Sequence, residues 1–334
     1  MRTACLALSL FGVLALAACQ DNASPTVDHP ATPALAAKKK YPALTGTPAQ
    51  RASQIIARVN ARLEGAGSTK RLDEAWFFSV GRGTDPFRRL RTGSRWTDPA
   101  HVTYMIDNDY TTDVPANQVL AAVRASYERH DAVKGISLNL DELPWDGLND
   151  DILDGVILDN QGNCVDIVDL TSPRVNSYDP ATGNIDFTQA ADNLFGGWYD
   201  PIYFENCLGS PDIIGVTWTF SDVDGALGHG KDGYRDRVYT EMYYNNGFRW
   251  VDGGSPFLSD IMDIQSIVTH EAGHAMGLGH FGGPNANQPF TLKPNGRVFD
   301  PEAIMNPFYV GGDKRNLFPT DIAALRTMYS RVEK

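Results

Sequence analysis

Three histidines at positions 270, 274 and 280 constrain this chain most, because only one kind of local geometry brings all three together. On a helix, His270 and His274 stand one turn apart on the same face, so both imidazoles reach toward one point. Gly277 then lets the chain leave the helix, since glycine takes left-handed backbone angles at little cost. The turn that follows brings His280 round as a third ligand. Such a set suits one Zn2+, and three protein ligands leave a fourth position open, as at a catalytic rather than a structural zinc. Glu271 sits beside the first histidine, placed to touch water rather than the ion, where a general base belongs. The competing reading is a buried amphipathic helix with hydrogen-bonded core histidines, but such a helix has no need of three at this spacing. Ser259 and Asp260 offer N-cap chemistry, and Ile261, Ile264, Ile267 and Val268 form an apolar stripe, so a helix is expected to begin near residue 260.

Elsewhere the periodicity predicts helices over Ala49–Glu64 and Pro115–Arg129, the latter with Val119, Ala122, Val123, Ser126 and Tyr127 on its inner face. Strands are expected at Ala75–Val80, Val102–Ile106, Gly135–Leu140, Ile213–Phe220 and Arg237–Tyr244. Strand, helix, strand from 102 to 140 points to a parallel crossover. The fold class is α/β (α+β): a mixed twisted sheet, the metal-binding helix packed on it, and a small C-terminal subdomain below the cleft. Residues 141–212, rich in Gly, Asp, Asn and Pro, resist assignment.

The N-terminus reads as an export signal. Arg2 precedes an apolar run, Ala4 to Ala18, that is too short to span a bilayer as a mature helix. Leu16-Ala17-Ala18-Cys19 is similar to a bacterial lipobox, in which Cys19 is acylated and becomes the first mature residue. Ordinary cleavage after Ala17 also fits. The four cysteines favour the lipoprotein: processing removes Cys5, lipid takes Cys19, and Cys164 and Cys207 remain as an even pair for an oxidising compartment. The expected organisation is therefore a signal peptide over 1–18, a disordered tether over 19–50, an N-terminal extension of unassigned role over 51–94, and a catalytic domain over 95–334. The protein is expected to be exported and lipid-anchored, or otherwise secreted, with the anchor its sole membrane attachment. It is read as a monomer. A net charge of −12 argues against nucleic-acid partners, which call for a basic stripe.

The eleven-residue motif resembles the metzincin clan of zinc proteases. Ala303-Ile304-Met305-Asn306-Pro307-Phe308-Tyr309 looks like the clan's Met-turn, with Met305 under the metal and with Pro307 and Tyr309 walling the substrate pocket as in the matrixin branch. Leu317 to Tyr329 resembles the last matrixin helix, and Arg95-Trp96 with Val102 to Asp107 the start of a matrixin catalytic domain. The chain departs from that pattern in having Phe281 where a serine is usual, a long connection from His280 to Met305, and no cysteine-bearing propeptide motif.

The resemblance implies a zinc endopeptidase acting on peptides or proteins, with an extended substrate adding itself to an edge strand, taken as Ile213–Phe220. Two other classes stay open: a zinc-holding surface module that does not cleave, and a zinc hydrolase of non-peptide amides or esters. Asp222, Asp224, Asp232 and Asp236 flank glycine-rich turns, and Glu241 follows on the next strand. These carboxylates offer a calcium site, with a solvated acidic turn as the alternative.

Overall fold

The computed structural model describes residues 41–80, 92–149, 151–223, 233–257, 259–284 and 299–330. The expected signal peptide, Cys19, Asp224 and Asp232 lie outside these residues. Four helices and one large sheet organise the fold. In chain order they are α1 (Pro48–Gly65), β1 (Lys70–Val80), β2 (Ser94–Trp96), β3 (Val102–Ile106), α2 (Ala116–Asp131), β4 (Leu140–Leu143), β5 (Asn193–Tyr199), β6 (Ile213–Asp222), β7 (Arg235–Asn245), α3 (Ile264–Ala275), β8 (Phe308–Tyr309) and α4 (Pro319–Tyr329). The sheet runs β8-β1-β6-β7-β5-β3-β4, with β2 pairing onto β7. The β3, β4, β5 and β7 pairings are parallel, while β6 is antiparallel to both β7 and β1. The result is a mixed sheet in an α/β chain.

Each helix buries the stripe that its sequence supplies. On α2, Val119, Ala122, Val123, Ser126, Tyr127 and His130 recur at three- and four-residue steps and all are buried. On α1, Thr47 and Gln50 form a capping box and Pro48 begins the first turn, where its missing N–H costs nothing. Ala52, Ile55, Val59 and Leu63 then face the sheet. Two apolar layers follow. One joins α2, α3 and α4 to a sheet face through Val123, Ile267, Leu325, Phe195 and Met242. The other joins α1 and the 152–208 region to the opposite face through Val59, Ile152, Trp218 and Tyr243.

The 51–94 segment thus supplies α1, β1 and β2 to the same sheet and cores. The expected tether also ends sooner than residue 50. Leu44 is buried and its N–H donates to the Cys164 carbonyl, while the Arg58 and Arg62 guanidinium groups lie over the Tyr41 ring. Residues 41–44 are therefore held against the fold, because Tyr41 and Leu44 bring enough apolar surface.

Three further expectations shift. The strand beside β3 is Leu140–Leu143, whereas Ile136 makes only an isolated bridge to Ser330. The helix that carries His270 and His274 is capped by Asp263 rather than by Ser259 or Asp260. Ile261–Asp263 is held extended by parallel pairing with Arg249–Val251, and the helix turns in only after that ladder ends. Finally, β6 is an interior strand, flanked by β1 and β7. No helix among the described residues is long and apolar enough to cross a membrane.

Cys164 and Cys207 form a disulfide across 43 residues of sequence. It ties the segment that receives Leu44 to the π-helical turn Tyr203–Leu208. Disulfides persist in oxidising compartments, which hints at an extracellular protein. On the chain-entropy account, opening a loop of this length costs about 4 kcal/mol, less any strain relieved. The Cys164→Ala/Cys207→Ala chain should therefore unfold at a clearly lower urea concentration, with a somewhat steeper transition because the unbridged unfolded chain exposes more surface. An unchanged midpoint would show that the bridge adds nothing to stability.

Candidate metal centre

Helix α3 is buried along its whole length, so its polar groups must find partners inside the protein. At its start, Asp263 Oδ2 accepts the Ser266 N–H at 3.0 Å, and the Arg315 Nε donates to the same oxygen at 2.9 Å. At its end, Gly277 has φ 87°. The Leu278 N–H reaches back to the Gly273 carbonyl and the Gly277 N–H to the His274 carbonyl, both at 2.9 Å, the paired bonds of a Schellman motif. A Cβ at Gly277 would lie 2.5 Å from Met328 Cε. The turn therefore demands glycine, whereas the Met328 tip could shift to admit a Cβ.

That turn delivers the third histidine. The Nε2 atoms of His270, His274 and His280 lie 3.0–3.1 Å from one another. Each of the two helical imidazoles is oriented from behind. His270 Nδ1 donates to the Ile304 carbonyl at 2.7 Å, and His274 Nδ1 to the Leu278 carbonyl at 2.8 Å. With the proton on Nδ1, the Nε2 lone pairs of these two rings face inward. Burial, with the neighbouring histidines adding to it, holds both rings well below the usual histidine range, so they are neutral. Converging neutral nitrogens with backbone-bonded far sides are the donor set of a small borderline cation such as zinc, and the residues fit that ion. Among the described residues this triad is the group of three or more His, Cys, Asp or Glu side chains able to hold a metal ion.

Glu271 lies beside the triad and is fully buried. Its Oε2 accepts from the Thr217 hydroxyl at 2.5 Å, while Oε1 has no hydrogen-bond partner among the described residues. Burial pushes its carboxyl up to about 8, with the Thr217 hydroxyl acting the other way. Gly215 on β6 leaves room for this group, since a Cβ there would lie 2.8 Å from Oε1.

Met305 packs against α3 at Gly273, where a Cβ would meet its sulfur at 2.4 Å. Pro307 is buried in the same turn, and the Tyr309 hydroxyl contacts Ser255 Oγ and the Gly312 carbonyl, both at 3.0 Å. The turn is pinned by Asp321 of α4, whose carboxylate accepts the N–H groups of Ile304, Met305 and Phe318 at 2.9, 3.3 and 2.8 Å. Asp321→Ala would strand these donors in a buried place. The expected cost is at least about 1–3 kcal/mol of stability, the range for one unsatisfied buried group, read from the urea midpoint. A midpoint equal to wild type would mean that the turn needs no such tie.

Nothing in the sequence singles out Arg237, yet it closes the other end of α3. Its guanidinium donates to the His274 and Ala275 carbonyls at 2.6 and 3.1 Å, and to Thr92 and Ser94 hydroxyls. A cation at a helix C-terminus is favourable for the helix dipole as well as for the unpaired carbonyls. Trp76 and Phe78, from the extension of unassigned role, also reach the centre. Phe78 stacks on His270 at 3.6 Å between ring centroids, and Trp76 stacks on His274 at 4.9 Å.

Among the described carboxylates of the calcium reading, Glu241 stands apart from the other two. Asp222 and Asp236 face each other in register across β6 and β7, but Glu241 pairs with Trp218, four residues further along. Its buried carboxylate is taken up by the Ile152 and Leu153 N–H groups and by the Tyr239 and Tyr243 hydroxyls. Glu241 is therefore withdrawn from that set, because four donors already use its oxygens.

No protein-family profile matches the chain. Among curated proteins, matrilysin of Felis catus is 27 % identical over 140 residues, covering 38 % of this chain and 44 % of that protein. The chain thus spans less than half the length of this relative. A likeness this distant suggests a metzincin-like relationship at most, and it hints at a metalloprotease without assigning a class. The mixed sheet carrying a buried helix is compatible with that fold.

Proposed function

We propose that the protein is a zinc-dependent endopeptidase of the matrixin-like kind. The observation that carries this reading is the convergence of three imidazole nitrogens beside a buried carboxylate that has one unpartnered oxygen. A purely structural zinc has no use for that carboxylate. When bound by His270, His274 and His280, zinc would supply a Lewis acid and make water acidic near neutral pH. Glu271 takes the proton of the attacking water and later passes it to the leaving amine. Thr217 holds Oε2 of that carboxylate and so aims the other oxygen. Met305 shapes the floor by packing, while Pro307 and Tyr309 border the pocket for the side chain just after the cut.

The burial of the centre favours a second reading, a zinc-holding module that does not cleave. One experiment separates the two. The purified protein should carry one zinc per chain and, once its centre is opened, cleave an unfolded protein substrate in a chelator-sensitive manner. Zinc without any cleavage, even where the centre has been opened as described below, would leave the module. Absence of zinc would sink both.

A further inference from the structure

The strand expected to receive a peptide, Ile213–Phe220, already has an occupant. Strand β1 runs antiparallel to β6 from Lys70 opposite Asp222 to Ser79 opposite Ile213, and its other side pairs in parallel with Phe308 and Tyr309. An extended segment thus lies between β6 and the wall of the site, hydrogen-bonded on both edges. That is how a peptide adds itself to a sheet. The register places Phe78 opposite Gly215, the residue whose Cα backs onto Glu271. The Phe78 ring stacks on His270 and meets Tyr309 edge-on at 6.0 Å, and it shares a small cavity with Ser266, Ile304, Tyr309 and Lys314. Trp76, two residues earlier on the same strand, stacks on His274 and meets His280 edge-on. All three histidines and Glu271 are at most 1 % exposed.

We propose that β1 is the chain's own substrate-like strand: it fills the cleft over the metal centre, and Phe78 occupies the pocket beside His270 that a substrate side chain would take. The name substrate rests on the endopeptidase reading, whereas the cover itself does not. Two consequences follow. A peptide reaches the centre only when Trp76–Val80 leaves, so the chain as it stands is latent. The pocket that accepts Phe78 selects peptides with a large aromatic or apolar residue at that position. The strand is built for partial release. Its first half is tied down by Asn60, which exchanges hydrogen bonds with the Leu72 backbone at 2.7 and 2.8 Å, and by the Arg235–Asp73 ion pair. Irregularities in the ladder fall just before the covering part, at Leu72/Glu74, and within it, at Phe78/Ser79.

The test follows access to the metal as well as turnover. In the zinc-loaded wild-type protein, stripping by dipicolinate should level off as chelator is raised, because strand opening limits it. In Phe78→Ala, stripping should be about tenfold faster or more, since one lost aromatic stack and its burial are worth at least the 1.4 kcal/mol of a tenfold change. Phe78→Leu, which keeps most of the apolar fill, should stay nearer wild type. A hydroxamate of a phenylalanyl peptide should bind Phe78→Ala more tightly than wild type by a similar factor, because affinity scales with the fraction of open chains. Cleavage of an aromatic-containing peptide should rise in parallel. Faster stripping and tighter hydroxamate binding without cleavage would uphold the cover and refute the endopeptidase reading. Wild-type stripping that is rapid and linear in chelator would overturn the proposal, and that measurement needs no variant to fold.

Discussion

Glu271→Gln, placed in the opened Phe78→Ala chain, is expected to keep its zinc and its melting temperature while losing cleavage by about 10²–10⁴-fold, the usual share of a general base. The substitution is nearly isosteric, and the hydroxyl of Thr217 can still donate to the amide oxygen where it now donates to Oε2. Packing around residue 271 should therefore change little. What goes is the capacity to accept a proton from water. The carboxylate is 0 % exposed and its Oε1 has no hydrogen-bond partner among the described residues. Such a group is costly to bury unless something depends on it. Zinc content and thermal melting must be measured alongside peptide turnover. Turnover near that of the parent, in a variant still holding one zinc, would remove Glu271 from the proposed chemistry.

How far the fold was legible depends on whether the deciding physics was local. Helix α2 was readable because Val119, Val123 and Tyr127 lie on one face at steps of four, whatever they pack against. Gly277 was readable because a left-handed turn leaves few alternatives. The start of α3 was not, although Ser259 and Asp260 are good capping residues. Its true cap, Asp263, is set by parallel pairing with Arg249–Val251, a contact absent from any local window. The place of Ile213–Phe220 in the sheet was lost in the same way. Its alternation shows a strand, but not how many neighbours it has. Its near-continuous apolar character, Ile213-Ile214 through Val216, Trp218 and Phe220, was the available sign of burial on both faces.

The site divides along the same line. Four of its groups sit within eleven residues of sequence, so their convergence follows from one helix and the Gly277 turn that ends it. Arg237, Asp321, Trp76 and Phe78 come from three distant segments, and each is an ordinary residue in its own neighbourhood. Arg237 carried a signal too faint to single it out, one charge among four on its strand. The aromatic run Trp76-Phe77-Phe78 carried a stronger one. An extension that merely led into the catalytic domain has no need of three consecutive large aromatics, and two of them lie on the histidines.

His274→Ala should abolish stoichiometric zinc while leaving the helix in place. The ring contributes one of three nitrogens at 3.0–3.1 Å spacing, and its removal leaves two. Loss of a partner that merely orients a ligand commonly weakens metal binding by about 10–100-fold, so loss of a ligand itself should cost at least that. The helix end does not depend on the imidazole: the Gly277 and Leu278 N–H groups bond to backbone carbonyls, and Arg237 bonds to the carbonyls of residues 274 and 275. Secondary structure by circular dichroism should accordingly match wild type. Trp76 would lose the ring it stacks on, so its fluorescence should change in this variant even before zinc is added. Metal analysis after dialysis against a competing chelator decides the matter. One full equivalent of zinc in His274→Ala would mean that the ion is held elsewhere, and the assignment of the triad would fall with it.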